Sequence, residues 1–299
     1  MTYEEQYARY RQMTEETLDA LLSDGAFARI PSKLLQSMRY SALAGGKRIR
    51  PVLLLATTEM LSGPLDEARV PAAALEMIHT YSLIHDDLPG MDNDTLRRGR
   101  PTNHVVFGEG QAILAGDGLL NCAFETMLDA AADRPDRALE CLLAMREIAT
   151  GAGVTGMIAG QVMDLYCEAN NIGDVNALQY IQRNKTACMF IYPLRAAARL
   201  CGAGDAALES LTDYGRAFGL LFQATDDLLD VTGDPEKMGK TLGKDAESGK
   251  LTCISAYGLE GTRALVEKLH REALRALEPF GEWAAFFASL VDSMVDRTK

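Results

Sequence analysis

The sequence contains no Cys-x-x-Cys pair. Its six cysteines, Cys122, Cys141, Cys167, Cys188, Cys201 and Cys253, are scattered without regular spacing and lie mostly in apolar runs. That pattern argues against a disulfide framework and reads as reduced core residues of a cytoplasmic protein. Positive charge is also scarce: 30 Lys and Arg face 42 Asp and Glu, for a net charge of −12. A nucleic-acid binder held by a basic face is therefore not expected. A polyanionic ligand would need a local positive site, because the average field repels it. No apolar run is long enough to span a bilayer, and the opening MTYEEQYARYRQM is polar and acidic, unlike a signal peptide. No stretch alternates at period two, so strands are not expected. Repeats, low-complexity tracts and linkers are absent as well, which predicts a single domain over residues 1–299.

What is present is helical. Apolar residues make up 47% of the 299 positions, enough to bury a sizeable core. Ala, Leu, Glu, Arg and Met dominate, and apolar residues recur at three- and four-residue spacing. The pattern predicts helices near 4–23, 32–43, 49–62, 67–88, 110–131, 136–149, 153–168, 174–183, 186–202, 206–231, 251–257, 261–277 and 282–297. The expected fold class is all-α, a single-domain bundle of about 10–13 helices around a deep central cavity. Helices 67–88 and 206–231 are apolar on more than one face, as suits the centre of a bundle.

Each of those two central helices closes on aspartates. The first runs into LIHDDLPGMDND, with Asp86, Asp87, Asp92 and Asp94; the second into FQATDDLLD, with Asp226, Asp227 and Asp230. Negative charge near a helix C-terminus opposes the macrodipole, so something positive is needed to offset it. Asp226 and Asp230 are four apart and share a face. Asp86 and Asp92 would diverge on a straight helix, but Pro89 and Gly90 lie between them and predict a bend that returns Asp92 toward Asp86. Clusters offering only oxygen suit magnesium, which takes one or two carboxylates plus waters and phosphate oxygens. Either cluster alone reads equally well as a solvated helix end; two in similar contexts point to a ligand. Neither has the glycine and closing glutamate of an EF-hand.

Three basic groups complement them: Lys47, Arg48 and Arg50 in GGKRIRP, Arg97, Arg98 and Arg100 in LRRGRP, and Lys237, Lys240, Lys244 and Lys250 just after Asp230. Arginine grips phosphate with a planar fork and lysine acts as a point charge. No Walker P-loop is present, because the glycine-rich stretches lack the GK[ST] ending.

In GGKRIRP, DDLPGMD, RRGRP, GQVMDL, NKT, FQATDD and DDLLD, taken in this order, the sequence resembles the trans-isoprenyl diphosphate synthases. It is most similar to the bacterial members that make the 15-carbon farnesyl product. The resemblance implies that Asp86, Asp87 and Asp92, with Asp226 and Asp230, hold up to three magnesium ions bound to the allylic diphosphate. It implies that Arg97, Lys185, Lys240 and Lys250 bind that diphosphate, and that Lys47, Arg50, His79 and Arg98 bind the diphosphate of isopentenyl diphosphate, with Phe222 packing on its isopentenyl group. It places the oxygens of Thr186 and Gln223 beside the reacting carbons, and Gln161 and Asp164 on a cavity-lining helix. It also implies a homodimer. After Lys250 the run GKLTCISAYG departs from the usual pattern of the family.

The reaction implied is ionisation of the allylic diphosphate, attack by isopentenyl diphosphate, then loss of a proton to the released diphosphate. Tyr81 precedes Asp86 by five residues, about 7.5 Å along a helix axis, and Ser82 by four. A growing chain passing down this helix meets the Tyr81 ring early, and a bulky aromatic at this position with the longer motif resembles the farnesyl-producing pattern of the family. The rivals are geranylgeranyl diphosphate synthesis, a terpene cyclase (which has no need of GGKRIRP or His79), and a non-catalytic regulatory subunit, in which the aspartates should have been lost.

Overall fold

The computed structural model describes residues 1–23, 25, 30–232 and 251–296, which form thirteen α-helices and one very short ribbon. The chain divides into two compact units, Met1–Met145 with Arg199–Gly202, and Arg146–Ala198 with Ala203–Lys299.

In the first unit, α1 (Tyr3–Leu21) opens on a capping box. The Glu5 amide donates to Thr2 Oγ1 at 3.2 Å, and the Thr2 amide to Glu5 Oε2 at 2.8 Å. Then follow α2 (Ser32–Ala42), α3 (Ile49–Met60) and α4 (Leu65–Asp86). Helix α4 is buried nearly all round, as its apolar pattern predicts. Ala68, Ala72, Ala73 and Ala74 carry small side chains that let α3 and α6 (Glu109–Ala132) approach it closely.

Between α4 and α6 the structure corrects two expectations. Leu96–Arg97 (β1) pairs antiparallel with Arg100–Pro101 (β2) where no strand was expected. The turn between them has φ of 53° at Arg98 and 72° at Gly99, both positive as a tight hairpin turn demands. Strands of two residues are too short to leave an alternating pattern. The five-residue α5 (Asn103–Phe107) was likewise not expected. It is held by side chains distant in sequence: Asn103 Nδ2 donates to the Ser37 carbonyl at 2.9 Å, and Ser37 Oγ to Asn103 Oδ1 at 2.9 Å.

Among the described residues, one stretch, Pro135–Asn170, contains an 18-residue window apolar enough to be weighed as a membrane span, with a mean hydropathy of 1.2. A turn at 153–156 breaks it into α7 (Ala138–Ala152, 15 residues) and α8 (Met157–Asn170, 14 residues). Each falls short of the ~20 residues that a span requires.

The second unit also contains α9 (Val175–Ile181), α10 (Cys188–Leu200), α11 (Asp205–Thr232), α12 (Cys253–Leu277, kinked at Gly258) and α13 (Ala285–Asp296). Its core is aromatic. Phe190, Tyr214, Phe218 and Phe287 are fully buried, with Phe190 and Phe218 edge-on at 5.2 Å between centroids. Between α9 and α10 the residues Gln182–Ala187 form a π-helical turn, a feature frequent at functional sites. The apolar periodicity, which predicts helices over 174–183 and 186–202, carries no sign of this turn. Gly160 of α8 and Gly219 of α11 make room for it. A Cβ on Gly160 would lie 2.2 Å from the Lys185 nitrogen, and one on Gly219 would lie 2.6 Å from the Ala187 Cα. None of the six cysteines forms a disulfide.

Candidate active site

The first aspartate cluster takes its shape from the end of α4. The helix stops at Asp86, and the chain turns through Pro89 and Gly90 until the Asp92 amide donates to the Asp86 carbonyl at 2.8 Å. This is the return that the Pro-Gly pair predicts. Asp86 is half-buried. Asp87 is 3% exposed and faces inward. Its carboxylate receives Arg97 Nε at 2.8 and 3.0 Å and lies 2.6 Å from Arg97 Nη2. Burial pushes the Asp87 carboxyl above the usual range, and the Arg97 guanidinium opposes that shift. The structure thus joins Asp87, expected at the metal, to Arg97, expected at the diphosphate.

GGKRIRP divides its labour. Lys47 is exposed and Arg50 half-buried. The Arg48 side chain is fully buried and clamps three groups: Glu15 at 2.7 Å, Glu76 at 2.6 Å and the Ala42 carbonyl at 2.7 Å. Helix α1 anchors the same loop, with Tyr7 donating to the Lys47 carbonyl at 2.6 Å. Arg98 donates to the Gly45 carbonyl and lies 3.9 Å from Glu76.

His79, two turns before Asp86 on α4, is half-buried. Its pKa lies well below the usual imidazole value, first through desolvation and then through Arg50, Arg98, Arg97 and Arg48. Burial also lowers Arg98; the Glu76 carboxylate opposes that shift, and Arg48 and Arg97 add to it. His79 therefore sits in a positive field within a chain whose net charge is −12, and an anion bound there would relieve it. Tyr81 is 7% exposed, and its ring meets His85 edge-on at 5.7 Å. Ser82 donates to the His79 carbonyl at 2.9 Å.

In the second unit, the π turn sets Lys185 against α8, where Nζ lies 2.5 Å from Asp164 Oδ2. The next residue, Thr186, donates to Gln223 Oε1 on α11 at 3.2 Å. Phe222 is half-buried against Phe190, 5.2 Å between centroids. Asp226 is half-buried, and Asp230, one helical turn on, is 7% exposed. Lys237, Lys240, Lys244 and Lys250 lie outside the described residues.

Three features escaped the sequence reading: the partnership of Asp164 with Lys185, the two glutamates around Arg48, and the engagement of Asp227. Only the last had a local signal, because Gln223 and Asp227 stand four apart on one helix. Among the described residues no three His, Cys, Asp or Glu side chains gather closely enough to hold a metal by themselves. The donor set fits magnesium, which needs few protein ligands when phosphate oxygens and water complete its shell.

These observations define a helical protein in which α4 and α11 each carry aspartates and in which four arginines act on His79. Comparison with known proteins identifies the class. The polyprenyl synthetase family model matches residues 31–278. The large subunit 1 of a chloroplastic heterodimeric geranylgeranyl pyrophosphate synthase from Arabidopsis thaliana is 46% identical over 260 residues, covering 86% of this chain and 70% of that protein. A chloroplastic geranylgeranyl pyrophosphate synthase from Capsicum annuum is 42% identical over 283 residues, 94% of this chain and 76% of that one. A solved FPP/GFPP synthase from Zymomonas mobilis superposes with a TM-score of 0.85 at 32% identity, covering 98% of each chain. The chain belongs to the polyprenyl synthetase family, the trans-isoprenyl diphosphate synthases, and is a prenyltransferase with the all-α isoprenoid synthase fold.

Proposed function

We propose that this protein condenses isopentenyl diphosphate with an allylic diphosphate, dimethylallyl or geranyl, in a magnesium-dependent reaction that yields farnesyl diphosphate. The observation that carries the reading is the positive field that Arg50, Arg98, Arg97 and Arg48 set up at His79, on the same helix that ends in the turn bringing Asp92 back to Asp86. Lys47, Arg50, His79 and Arg98 would bind the diphosphate of isopentenyl diphosphate. Arg97, held by Asp87, and Lys185, held by Asp164, would bind the allylic diphosphate. Asp86, Asp92, Asp226 and Asp230 would hold magnesium, which neutralises charge on the departing diphosphate. The oxygens of Thr186 and Gln223 would stabilise the positive charge left on the allyl group. The proton lost after condensation would go to the released diphosphate.

The farnesyl product rests on the buried Tyr81 ring one and a half turns before Asp86. A geranylgeranyl product is the second reading, favoured by the 46% and 42% identity to synthases named for that product. A non-catalytic subunit is disfavoured by two complete aspartate motifs. Exposed Ile113, Leu114 and Leu128 on α6 support assembly as a homodimer.

The test is turnover of isopentenyl and geranyl diphosphates with magnesium, with products resolved by chromatography. Asp86→Ala, or excess chelator, should leave the helical circular dichroism unchanged and abolish turnover. Full activity in chelator would end the proposal.

A further inference from the structure

The second aspartate of DDLLD is 3% exposed, whereas its neighbour Asp226 is half-buried. Both carboxylate oxygens of Asp227 are engaged within its own unit. Oδ1 accepts from Gln223 Nε2 at 2.8 Å, and Oδ2 accepts from the Cys253 backbone amide at 2.7 Å. Cys253 is the first residue of α12, so one side chain ties α11 to the start of α12, where negative charge is favourable. Gln182, the first residue of the π turn, adds a donor to Cys253 Sγ at 3.0 Å. Asp227, Gln223 and Thr186 therefore form one chain of hydrogen bonds running from the start of α12 to the π turn.

A glutamine amide has two ends of nearly equal size and opposite polarity, and its hydrogen bonds decide which way it points. A carboxylate only accepts, so Asp227 takes the NH2 end of Gln223. The Oε1 end is left toward Thr186, whose hydroxyl donates to it at 3.2 Å. An oxygen facing the reacting carbons stabilises developing positive charge; an NH2 group in its place repels it.

We propose that Asp227 is a positioning residue for the condensation: it fixes the polarity of the Gln223 amide and pins the start of α12. This rests on the reading of the site given above.

Asp227→Asn keeps the size of the side chain and puts a donor where an acceptor stood. The expected result is a fall in kcat of about tenfold or more. The KM for both substrates, and the magnesium concentration giving half-maximal rate, should stay within about twofold of the unmodified protein. In a Gln223→Ala background, Asp227→Asn should lower kcat no further, because the route through Gln223 is gone. A raised magnesium requirement would make Asp227 a metal ligand and overturn the proposal. So would an unchanged kcat, or a full additional loss in the Gln223→Ala background. Should Asp227→Asn fail to fold for want of the α12 contact, Asp227→Glu keeps the charge and displaces the acceptor by one methylene. It is expected to lose kcat at an unaltered magnesium requirement, and undiminished kcat in that variant refutes the proposal. If the unmodified protein does not turn over, the reading of the site itself falls, an outcome separate from all of these.

Discussion

Replacing Arg48 by Met tests how the isopentenyl side of the site is held. The Arg48 side chain is fully buried, lies 2.6 Å from Glu76 (itself 2% exposed) and 2.7 Å from Glu15, and caps the Ala42 carbonyl. Methionine fills similar space but leaves the Glu76 carboxylate buried without its closest cation. Breaking one side of a buried pair costs about 3–5 kcal/mol. The exposed edge of Glu15 will relax into water and add little. At about 2–4 °C per kcal/mol for a chain of this size, the thermal midpoint should fall by roughly 10 °C. Glu76→Gln in the same background removes the stranded charge and should recover part of that loss. Because Arg48 lies between Lys47 and Arg50, the single variant should also raise the KM for isopentenyl diphosphate more than that for the allylic partner. Calorimetric melts of the two variants, with steady-state kinetics on each, make the measurement. A midpoint within about 2 °C of the unmodified protein, or no recovery from Glu76→Gln, would refute the account of the clamp.

Tyr81→Ala should shift products beyond 15 carbons on chromatography, because the ring that closes the path along α4 is gone; the same product with a lower melting point would make Tyr81 ordinary core. His79 gives a pH prediction. Its pKa in the folded protein lies below the unfolded value, so the unfolded chain binds the extra proton. The stability it contributes is present above about pH 6.5 and is lost as pH falls from there through the folded value. A bound diphosphate reverses the local field and should raise that pKa. Pyrophosphate binding near pH 6 should then take up more protons, or release fewer, in the unmodified protein than in His79→Gln, read by calorimetry in buffers of different ionisation enthalpy; the comparison cancels the titration of the pyrophosphate itself.

Much of the fold was written in local pattern. Three- and four-residue apolar spacing marked the long helices, because a helix buried against neighbours must repeat at its own period. Pro89 and Gly90 announced the turn at Asp92, because their backbone preferences act without help from distant residues. The ribbon at Arg98 and the short helix at Asn103 lay outside that reach. They are set by a two-residue turn and by contacts to Ser37, which leave no periodic trace. The π turn was hidden for a related reason: it depends on the space opened by Gly160 and Gly219, far away in sequence.

For the site, the chemistry on hand was legible from the residues alone: two aspartate clusters, their basic companions, and a family to which their order belongs. How those charges are employed emerged with folding. Asp87 turns inward to Arg97, Asp164 holds Lys185, Arg48 serves Glu15 and Glu76, and Asp227 orients Gln223. The physical reason is that a charged side chain shows its type in the sequence, while burial and a partner fix its task. Partners separated by 10, 21, 28 and 33 residues meet only when the chain has folded.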